Sequence, residues 1–539
     1  MENDLLNIYC PQCGAPAGFD IVSQSYRCGY CGGTVGLEDA ISDKKQHQAE
    51  LRQKVLKESV RYPMMTASCS GCGATIVFEE NEAVSSCDFC GRKLVRKKYT
   101  QTNDVPEGII PFALTPQEAR ERLDMWCQNN RHRKEAKLLS NLTEDLKGYY
   151  LPYNMTVGPV YCDVSKIHGG RAFTAGGYLR NEFINCSSQL DNQVLDAMEP
   201  YDLSGFREFD YAYVAGQRVK IADISAEESR KRLREEVTSN YRVFLEKIWG
   251  TPAIEISARV NAVIESPVLL PVYYINESCI SAAVNGQTGK VSVREEKESF
   301  HISVPWWLKA IALFIASCVL TFGFISFSTG NIRGSFLLTG ILAFFYFFIF
   351  CFMFDPGLDN TFGIIRCRNV LTSGEQVLRR KNGRLIPVDA ILKRRIAEPV
   401  FSKEINGKTV RVTYEFRSAS RVLGMMIFTL TAVFLPVIFA LFINGFDFSR
   451  ITLGGSAVWF CVAVPIAPIY MIQLGLKEFY NNPRIYAVTD NGRKKRIHDP
   501  EFTPKKVILA VLKFLFLNPL GWLAIAGFGV MVYLTAFGF

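Results

Sequence analysis

Eight cysteines near the start of the chain have a spacing that suits metal binding. They form four Cys-x-x-Cys pairs, each followed by glycine: Cys10 and Cys13, Cys28 and Cys31, Cys69 and Cys72, Cys87 and Cys90. Cys69 and Cys90 follow Cys10 and Cys31 by the same 59 residues, so the second set repeats the first. Each pair places two thiolates on one tight turn, and two turns supply the four sulfur ligands of a closed, tetrahedral zinc site. The pattern predicts two zinc ribbons, each with one structural Zn²⁺ ion.

Iron is the other metal that these four thiolate ligands could bind. A rubredoxin-like iron site also uses four thiolates, whereas a catalytic zinc site would need a ligand position left for water. Disulfide bonds would be the alternative in a secreted protein, but Met1–Cys13 has neither the basic nor the apolar region of a signal peptide. We therefore expect reduced, metal-binding cysteines in a reducing compartment.

Outside these cysteines, the sequence contains no motif of a known catalytic type. The five histidines, of which His168 beside Gly169-Gly170 is the best candidate for chemistry, are scattered and form no His-Glu-x-x-His pair. The stretch Gly286–Lys290 resembles a phosphate-binding loop, but two residues rather than four separate its glycines, and Val291 follows the lysine. The sequence therefore predicts no catalytic residue and no enzymatic activity.

Helices and strands of a soluble α+β domain are predicted after the cysteines. Thr115, Pro116 and Glu118 form an N-cap, a first-turn proline and a capping-box acid, and Ser225 precedes a long charged helix over Ala226–Ile248. Alternating apolar residues predict strands at Tyr149–Asp163 (a strand pair broken at Gly158-Pro159), Ala172–Phe183, Asp210–Ile221, Ile254–Ile264 and Val268–Ile275, and a hairpin turn over Asn285–Gly289.

The second half of the chain contains five apolar runs that are predicted to cross a membrane. A spanning helix needs about 20 apolar residues, and Trp306–Phe324 and Phe336–Phe354 meet this need as a helical hairpin. Further spans are predicted at Leu423–Ile443, Ser456–Leu474 and, after an interfacial helix over Pro504–Leu517, at Leu520–Phe537. One kinked span is the alternative for this last run.

The distribution of basic residues predicts the orientation of these spans. The net charge is +9, and the excess of Lys and Arg lies largely in the loops 355–422 and 477–506, whereas Ile325–Ser335 and Asn444–Gly455 contain one arginine each. Because basic loops stay in the cytoplasm, we expect a multi-pass protein of the inner (cytoplasmic) membrane with a cytoplasmic N-terminus. A nucleic-acid-binding surface is the other source of such charge.

The predicted fold is multidomain. It combines two N-terminal zinc ribbons, a cytosolic α+β domain, and an α-helical membrane region of about five spans with a β-rich cytosolic loop module. The expected segments are ribbon 1 (1–36), a helical linker (37–62), ribbon 2 (63–98), a helical segment (105–147), the α+β domain (148–301), a transmembrane hairpin (306–354), the basic loop module (355–422), a second transmembrane hairpin (423–475), a basic loop (476–506), and an interfacial helix with the last span (507–539).

Several segments besides the cysteine pairs resemble a known family. They are Ile110–Phe112, Tyr150–Tyr153, Pro200–Leu203, Pro271–Tyr273 and Val284–Gly289. With the cysteine pairs, they resemble the bacterial TFIIB-type zinc-ribbon membrane proteins, often labelled primosomal-helicase-like. That family includes a membrane anchor of Gram-positive phage-shock-type operons. The resemblance implies cytosolic partners, phage-shock protein A-like or flotillin-like, and a role in envelope stress.

These features favour a non-enzymatic membrane adaptor that presents zinc-ribbon docking modules in the cytosol, next to the lipid bilayer. One alternative is a membrane-tethered protein whose ribbons bind nucleic acid, although the second ribbon carries the acidic residues Glu79, Glu80, Glu82 and Asp88. The other alternative is a transporter or enzyme with an unrecognised site. Transport is disfavoured because the predicted spans contain almost no ionisable side chains.

Overall fold

The structure is a computed structural model that describes most of the chain. The described residues are 8–20, 25–36, 38–39, 41–42, 45–46, 48–50, 53, 64–79, 87, 89, 92, 94–98, 106–166, 171–214, 217–251, 254–277, 280–299, 306–353, 367–374, 376–388, 397–405, 408–471, 475–488, 493–497, 509, 512–513, 516 and 519–538. The predicted residues Cys90 and His168, most of the linker 37–62 and most of the interfacial helix 504–517 lie outside these ranges.

The first cysteine module is a small antiparallel sheet. Its strands lie in the order of the chain: Ile8–Tyr9 (β1), Pro16–Asp20 (β2), Ser25–Cys28 (β3) and Thr34–Val35 (β4). Its buried side chains Tyr26 and Val35 pack against Val157 and Tyr178 of the rest of the protein. A sheet of this size buries too little apolar surface to be stable alone, so it depends on this contact and on its cysteines.

The remaining strands up to residue 299 belong to one continuous sheet that closes on itself. They are Met64–Ser68 (β5), Thr75–Glu79 (β6), Val95–Lys98 (β7), Gly108–Ile109 (β8), Lys147–Lys166 (β9), Phe173–Asn185 (β10), Arg207–Glu208 (β11), Val219–Lys220 (β12), Ile254–Arg259 (β13), Ile264–Glu277 (β14), Ile280–Asn285 (β15) and Val291–Ser299 (β16). Strands β5, β6 and β7 carry the second cysteine module.

Strand β9 is the central element of this sheet. It is 20 residues long and pairs antiparallel with β10, β13 and β14. The predicted break at Gly158-Pro159 is therefore wrong, because the strand continues through it. Gly158 has φ +145°, and a Cβ atom there would lie 3.0 Å from the Ala262 carbonyl oxygen and from Val263 Cα. Glycine thus allows one uninterrupted strand to pass close to its neighbour.

The described helices that flank the sheet are Pro116–Asn129 (α1), Lys134–Leu139 (α2), Asn192–Ala197 (α3) and Ala226–Trp249 (α4). The capping box predicted at Thr115 is confirmed, with its hydroxyl accepting from the Glu118 N–H at 3.3 Å. The predicted start of α4 at Ser225 is also confirmed. The buried face of α4, which includes Leu233, Tyr241 and Trp249, packs into the main apolar core.

One predicted strand is absent from the described structure. Within Asp210–Ile221, residues Tyr211–Tyr213 form a single turn of 3₁₀-helix, and only Val219–Lys220 is extended. The Asp210 carboxylate accepts a hydrogen bond from the Ala212 N–H at 2.8 Å. This local bond stabilises a turn where the alternation of apolar residues predicted a strand.

The sheet continues into the second half of the chain. Strands Cys367–Thr372 (β17), Val400–Ile405 (β20), Lys408–Glu415 (β21), Arg484–Val488 (β22) and Lys494–Ile497 (β23) extend it, while Val377–Lys381 (β18) and Arg384–Val388 (β19) form a separate hairpin. Strand β17 pairs with β16, and β20 pairs with β10. The predicted β-rich loop module is therefore not a separate unit, because long-range strand pairing joins it to the α+β domain.

Apolar helices are inserted between paired strands. Trp306–Thr329 (α5) and Ile332–Met353 (α6) lie between β16 and β17, which pair with each other. Ala419–Val433 (α7), Leu435–Ile443 (α8), Ala457–Ile469 (α9) and Gly475–Asn481 (α10) lie between β21 and β22, which also pair, and Pro519–Phe537 (α11) follows β23. Both insertions thus leave the sheet and return to it at adjacent strands.

The prediction of about five membrane spans is wrong. Among the described residues, two helices are long and apolar enough to cross a membrane, Trp307–Ser328 and Ile332–Cys351. A third span results only if α7 and α8, which meet at a bend of 66°, are counted as one. The apolar helices Leu453–Ile469 and Gly521–Phe537 have at most 17 residues, and a straight span needs about 20.

Proline and tryptophan explain the bend between α7 and α8. Pro436 has no N–H to donate to the Ala432 carbonyl, the normal partner four residues earlier. The indole N–H of Trp459 on α9 instead donates to the carbonyls of Ala432 and Val433, at 3.1 and 3.0 Å. Hydropathy predicted a continuous span here because it does not register the loss of one backbone donor.

Replacing Trp459 by phenylalanine is expected to destabilise the helical region by about 1–3 kcal/mol, because two partly buried carbonyl oxygens lose their donor. Thermal unfolding in detergent measures this loss. Trp307→Phe is the control, since Trp307 is half exposed and its indole has no hydrogen-bond partner in the described part of the chain. Equal unfolding temperatures for the two variants would contradict the role given to Trp459.

Candidate metal centres

Each cysteine pair of the first module lies on a turn that glycine completes. The carbonyl of Cys10 accepts from the Gly14 N–H at 2.8 Å, and that of Cys28 accepts from the Gly32 N–H at 3.0 Å. Gly14 and Gly32 have φ of +69° and +73°. This left-handed conformation costs other residues about 1–2 kcal/mol, so the glycine after each pair is a requirement of the turn.

The two turns bring four sulfur atoms together. The Sγ atoms of Cys10, Cys13, Cys28 and Cys31 all lie within 4.8 Å of one another. The Cys10–Cys31 and Cys13–Cys28 sulfur separations are both 3.5 Å. A tetrahedral ion with Zn–S bonds of about 2.3 Å separates its sulfurs by about 3.8 Å. The first cluster can therefore hold a metal ion with four thiolate ligands.

Backbone donors favour the thiolate form of Cys10 and Cys28, whereas contacts with the sulfurs of Cys31 and Cys28 raise the pKa of Cys13 to about 12. The N–H groups of Cys31 and Tyr30 lower the pKa of the Cys28 thiol to about 7, and the Tyr30 N–H lies 3.4 Å from its sulfur. The Gln12 N–H likewise lowers the pKa of Cys10. Because metals bind the thiolate rather than the thiol, these turns are suited to metal binding as well as to chain reversal.

A second cluster repeats this geometry. The sulfurs of Cys69, Cys72 and Cys87 lie within 4.8 Å of one another, with Cys72 and Cys87 3.6 Å apart. The Cys69 carbonyl accepts from the Gly73 N–H at 3.0 Å, as in the first module. Cys90, the predicted fourth ligand, lies outside the described residues. Three cysteines that can hold a metal ion are thus in place.

A buried ion pair lies beside the second cluster. The Lys220 side chain is fully buried, and its ammonium lies 2.7 Å from an Asp223 carboxylate oxygen and 5.7 Å from the centre of the Phe89 ring. Burial lowers the pKa of Lys220, whereas Asp223 and the sulfurs of Cys72 and Cys87 oppose that shift. Four thiolates on one divalent ion carry a net negative charge, and this ammonium lies close enough to offset part of it.

No pattern in the sequence indicated this ion pair, because Lys220 belongs to a two-residue strand without a motif. The same region attaches the second module to the sheet. Strand β12 pairs with β6 at Val219–Val77 and with β9 at Val219–Tyr150. The side-chain amide of Gln189 also donates to the Cys72 carbonyl at 3.0 Å. The second module is therefore attached to the sheet at the place where the Lys220–Asp223 pair is buried.

The first module contacts the sheet through aromatic rings instead. Phe19 stacks on Tyr178, with ring centres 4.5 Å apart, and the hydroxyls of Tyr26 and Tyr178 lie 3.0 Å apart. Away from this contact, Tyr30 on the second cysteine turn is 89% exposed, and Tyr9 next to Cys10 is 56% exposed. Exposed aromatic side chains beside a rigid turn are typical of binding surfaces.

The segment Gly286–Lys290, which resembled a phosphate loop, has a structural role. The Asn285 side chain accepts from the N–H groups of Gln287 and Thr288, and Gln287 accepts from the Asp202 N–H at 2.7 Å. This turn is buried, so its N–H groups do not face a ligand. The predicted hairpin between β15 and β16 is confirmed.

The cysteines outside the clusters that the structure describes in this domain are isolated. Cys127, Cys162 and Cys186 are buried, and burial raises the pKa of Cys127 to about 11 and of the other two to about 12. Neutral thiols of this kind behave as small apolar side chains.

Comparison with known proteins adds little to this description. No family model matches the chain, and no solved structure matches it. The chain is similar to the uncharacterized protein YdjG of Bacillus subtilis (strain 168), with 23% identity over 316 residues, which cover 53% of this chain and 89% of that protein.

Proposed function

We propose that this protein is a membrane-anchored adaptor that holds two metal-stabilised modules in the cytosol and docks a cytosolic protein there. The observation that carries this proposal is the insertion of the apolar hairpin α5–α6 between the paired strands β16 and β17. The same closed sheet carries the second cysteine module and supports the first. The anchor and the second module are therefore joined through strand pairing, and the first module is joined to the same sheet through side-chain packing.

Structural zinc is the metal that fits the clusters best. The first cluster supplies four thiolates and leaves no ligand position for water, which is the arrangement of structural rather than catalytic zinc sites. Iron in the same four-thiolate environment is the alternative. In the second cluster, Cys90 would complete the set on the basis of its spacing. When bound, the two ions would hold the turns of each module together.

The composition of the hairpin supports anchoring in the membrane. Many of its large apolar side chains are exposed, including Val319, Phe336 and Phe344 at 63–74%. An apolar surface of this extent requires a bilayer or a partner. Reduced cysteines and basic loops both favour a cytoplasmic position for the modules. Together with the resemblance to bacterial zinc-ribbon membrane proteins, they favour the inner membrane of a bacterium.

The outer face of the first module is the surface that we propose for partner docking. Tyr30 lies on the turn between Cys28 and Cys31, and Tyr9 ends strand β1 next to Cys10; exposed aromatic side chains of this kind often provide much of an interface's binding energy. The resemblance to zinc-ribbon membrane anchors makes a phage-shock protein A-like or flotillin-like protein the first partner to test. An envelope-stress role rests on the same resemblance.

Purification from native membranes in mild detergent tests this function. We expect about two zinc ions per chain and a stoichiometric cytosolic partner that a Tyr9→Ala/Tyr30→Ala variant loses while keeping its zinc. Tyr213→Ala is the matched control, because Tyr213 is also an exposed tyrosine and lies outside both clusters. It should keep both zinc and partner.

Two outcomes would overturn the proposal. Extraction of the protein by alkaline carbonate would contradict membrane anchoring. Nucleic acid that co-purifies in place of a protein, and dissociates as salt rises, would favour the tethered nucleic-acid-binding alternative.

A further inference from the structure

A cleft of about 500 Å³ lies where the sheet meets the second group of apolar helices. Pockets that hold small ligands measure roughly 300–1,000 Å³. Its apolar lining includes Val400, Phe401 and Val412, and its polar lining comes from α4, β21, β23 and the segment that precedes α7. The cleft therefore has both an apolar and a polar surface.

The charges around this cleft are predominantly positive. Four exposed cations line it, Lys247, Arg411, Arg417 and Lys494, together with Glu398 and Glu415. Glu415 is already engaged, since it accepts from the Tyr486 hydroxyl at 3.0 Å and lies 3.7 Å from Arg484. In the described part of the chain, none of the four cations forms an ion pair. Their charge is available to an anion.

The position of the cleft links it to the bilayer. Arg417 lies between the last residue of β21, Glu415, and the first residue of α7, Ala419. Glu415 pairs with Arg484, where the chain returns to the sheet from the helices. Arg421, in the first turn of α7, donates to the carbonyls of Phe416 and Asn482 and so holds the two crossings together. The cleft thus opens at the junction of sheet and apolar helices.

We infer that this cleft binds the headgroup of an anionic phospholipid. The phosphate would lie among Arg417, Lys494 and their neighbours, and the acyl chains would extend along the apolar helices. Arginine and lysine are the usual ligands of phosphate groups. This inference rests on the proposed membrane anchoring. It further states that the anchored protein selects anionic lipids over neutral ones.

Free phosphate and acidic peptides share the same charge chemistry but fit the site less well. A free phosphate would leave the apolar lining of Val400 and Phe401 unused. A soluble acidic peptide would have to avoid the apolar helices, whereas Arg417, which lines the cleft, precedes α7 by two residues. A lipid uses both the charged rim and the neighbouring apolar surface.

The test uses the full-length protein, incubated with vesicles of equal parts phosphatidylglycerol and phosphatidylcholine and then analysed by native mass spectrometry. We expect one retained phosphatidylglycerol per chain. Arg417→Gln/Lys494→Gln should lower this retention on the order of tenfold, because two cations near an anionic surface are lost. The control Lys134→Gln/Arg234→Gln removes the same charge from exposed positions outside the cleft and should retain the lipid.

Separate outcomes distinguish the inference from the proposed anchoring. Equal retention by the two double variants, or equal retention of phosphatidylcholine, would overturn the lipid site while leaving anchoring intact. Displacement of bound lipid by millimolar inorganic phosphate would show a phosphate site instead, and displacement by a poly-glutamate peptide would show a peptide site. A protein that does not associate with vesicles of either lipid would contradict anchoring itself.

Discussion

Cys28→Ser is expected to unfold the first cysteine module and to leave the second module folded. Metal binding supplies on the order of 10 kcal/mol to the folding of such small modules, and few apolar side chains of the four-stranded sheet β1–β4 are buried. We expect one zinc ion per chain instead of two, and rapid proteolysis within residues 8–36. Metal analysis and limited proteolysis of the full-length protein measure both effects.

The matched control changes the same turn without removing a ligand. Tyr30 lies between Cys28 and Cys31 and is 89% exposed, so Tyr30→Ser should keep both metal ions and the wild-type proteolysis pattern. If Cys28→Ser also kept both ions, or if its module resisted protease, metal binding would not be what stabilises the module.

Lys220→Met is expected to lower the free energy of unfolding by about 3–5 kcal/mol, because it leaves the mostly buried Asp223 carboxylate without its counter-charge. The ion pair stabilises the charged form of Asp223. Burial alone would raise the pKa of its carboxyl, but Lys220 and the Ser188 N–H hold that pKa below its usual value. The loss should be greatest at the contact of β12 with β6. Hydrogen exchange of β6 and β12, together with denaturant unfolding, measures it.

A double variant and a surface control test the assignment. Lys220→Met/Asp223→Asn removes both charges and should recover part of the stability, since replacing a whole buried pair costs less than removing one partner. Lys231→Met breaks only the exposed pair with Glu228 at 4.0 Å and should change stability by less than about 1 kcal/mol. A Lys220 variant no less stable than the Lys231 variant would show that the buried pair does not matter.

Local signals in the sequence were sufficient for the elements that local chemistry decides. The spacing of Cys10, Cys13, Cys28 and Cys31 predicted a four-thiolate cluster, and the sulfur atoms do lie together. Thr115 and Ser225 predicted two helix starts, and both are confirmed. In each case the interacting groups lie within a few residues of one another or on two short turns. Residues that form the motif in the sequence are therefore also the residues that contact one another in the structure.

The membrane region shows where such signals fail. Hydropathy predicted five spans because it counts apolar residues, but it does not register the 66° bend next to Pro436 or the short lengths of the apolar helices Leu453–Ile469 and Gly521–Phe537. Whether an apolar run forms one straight helix depends on which donors its backbone carbonyls find, such as the Trp459 indole N–H, which donates to two carbonyls at the end of α7. Contacts of this kind join residues more than twenty positions apart.

The sequence by itself determined the cysteine clusters, the helix caps and the presence of an apolar hairpin, because each of these follows from residue types at short spacing. Only the tertiary structure decided that β16 pairs with β17 across the hairpin, that Lys220 lies buried beside the second cluster, and that four cations line one cleft. The physical reason is that strand pairing and charge burial depend on long-range contacts, and no local pattern records them.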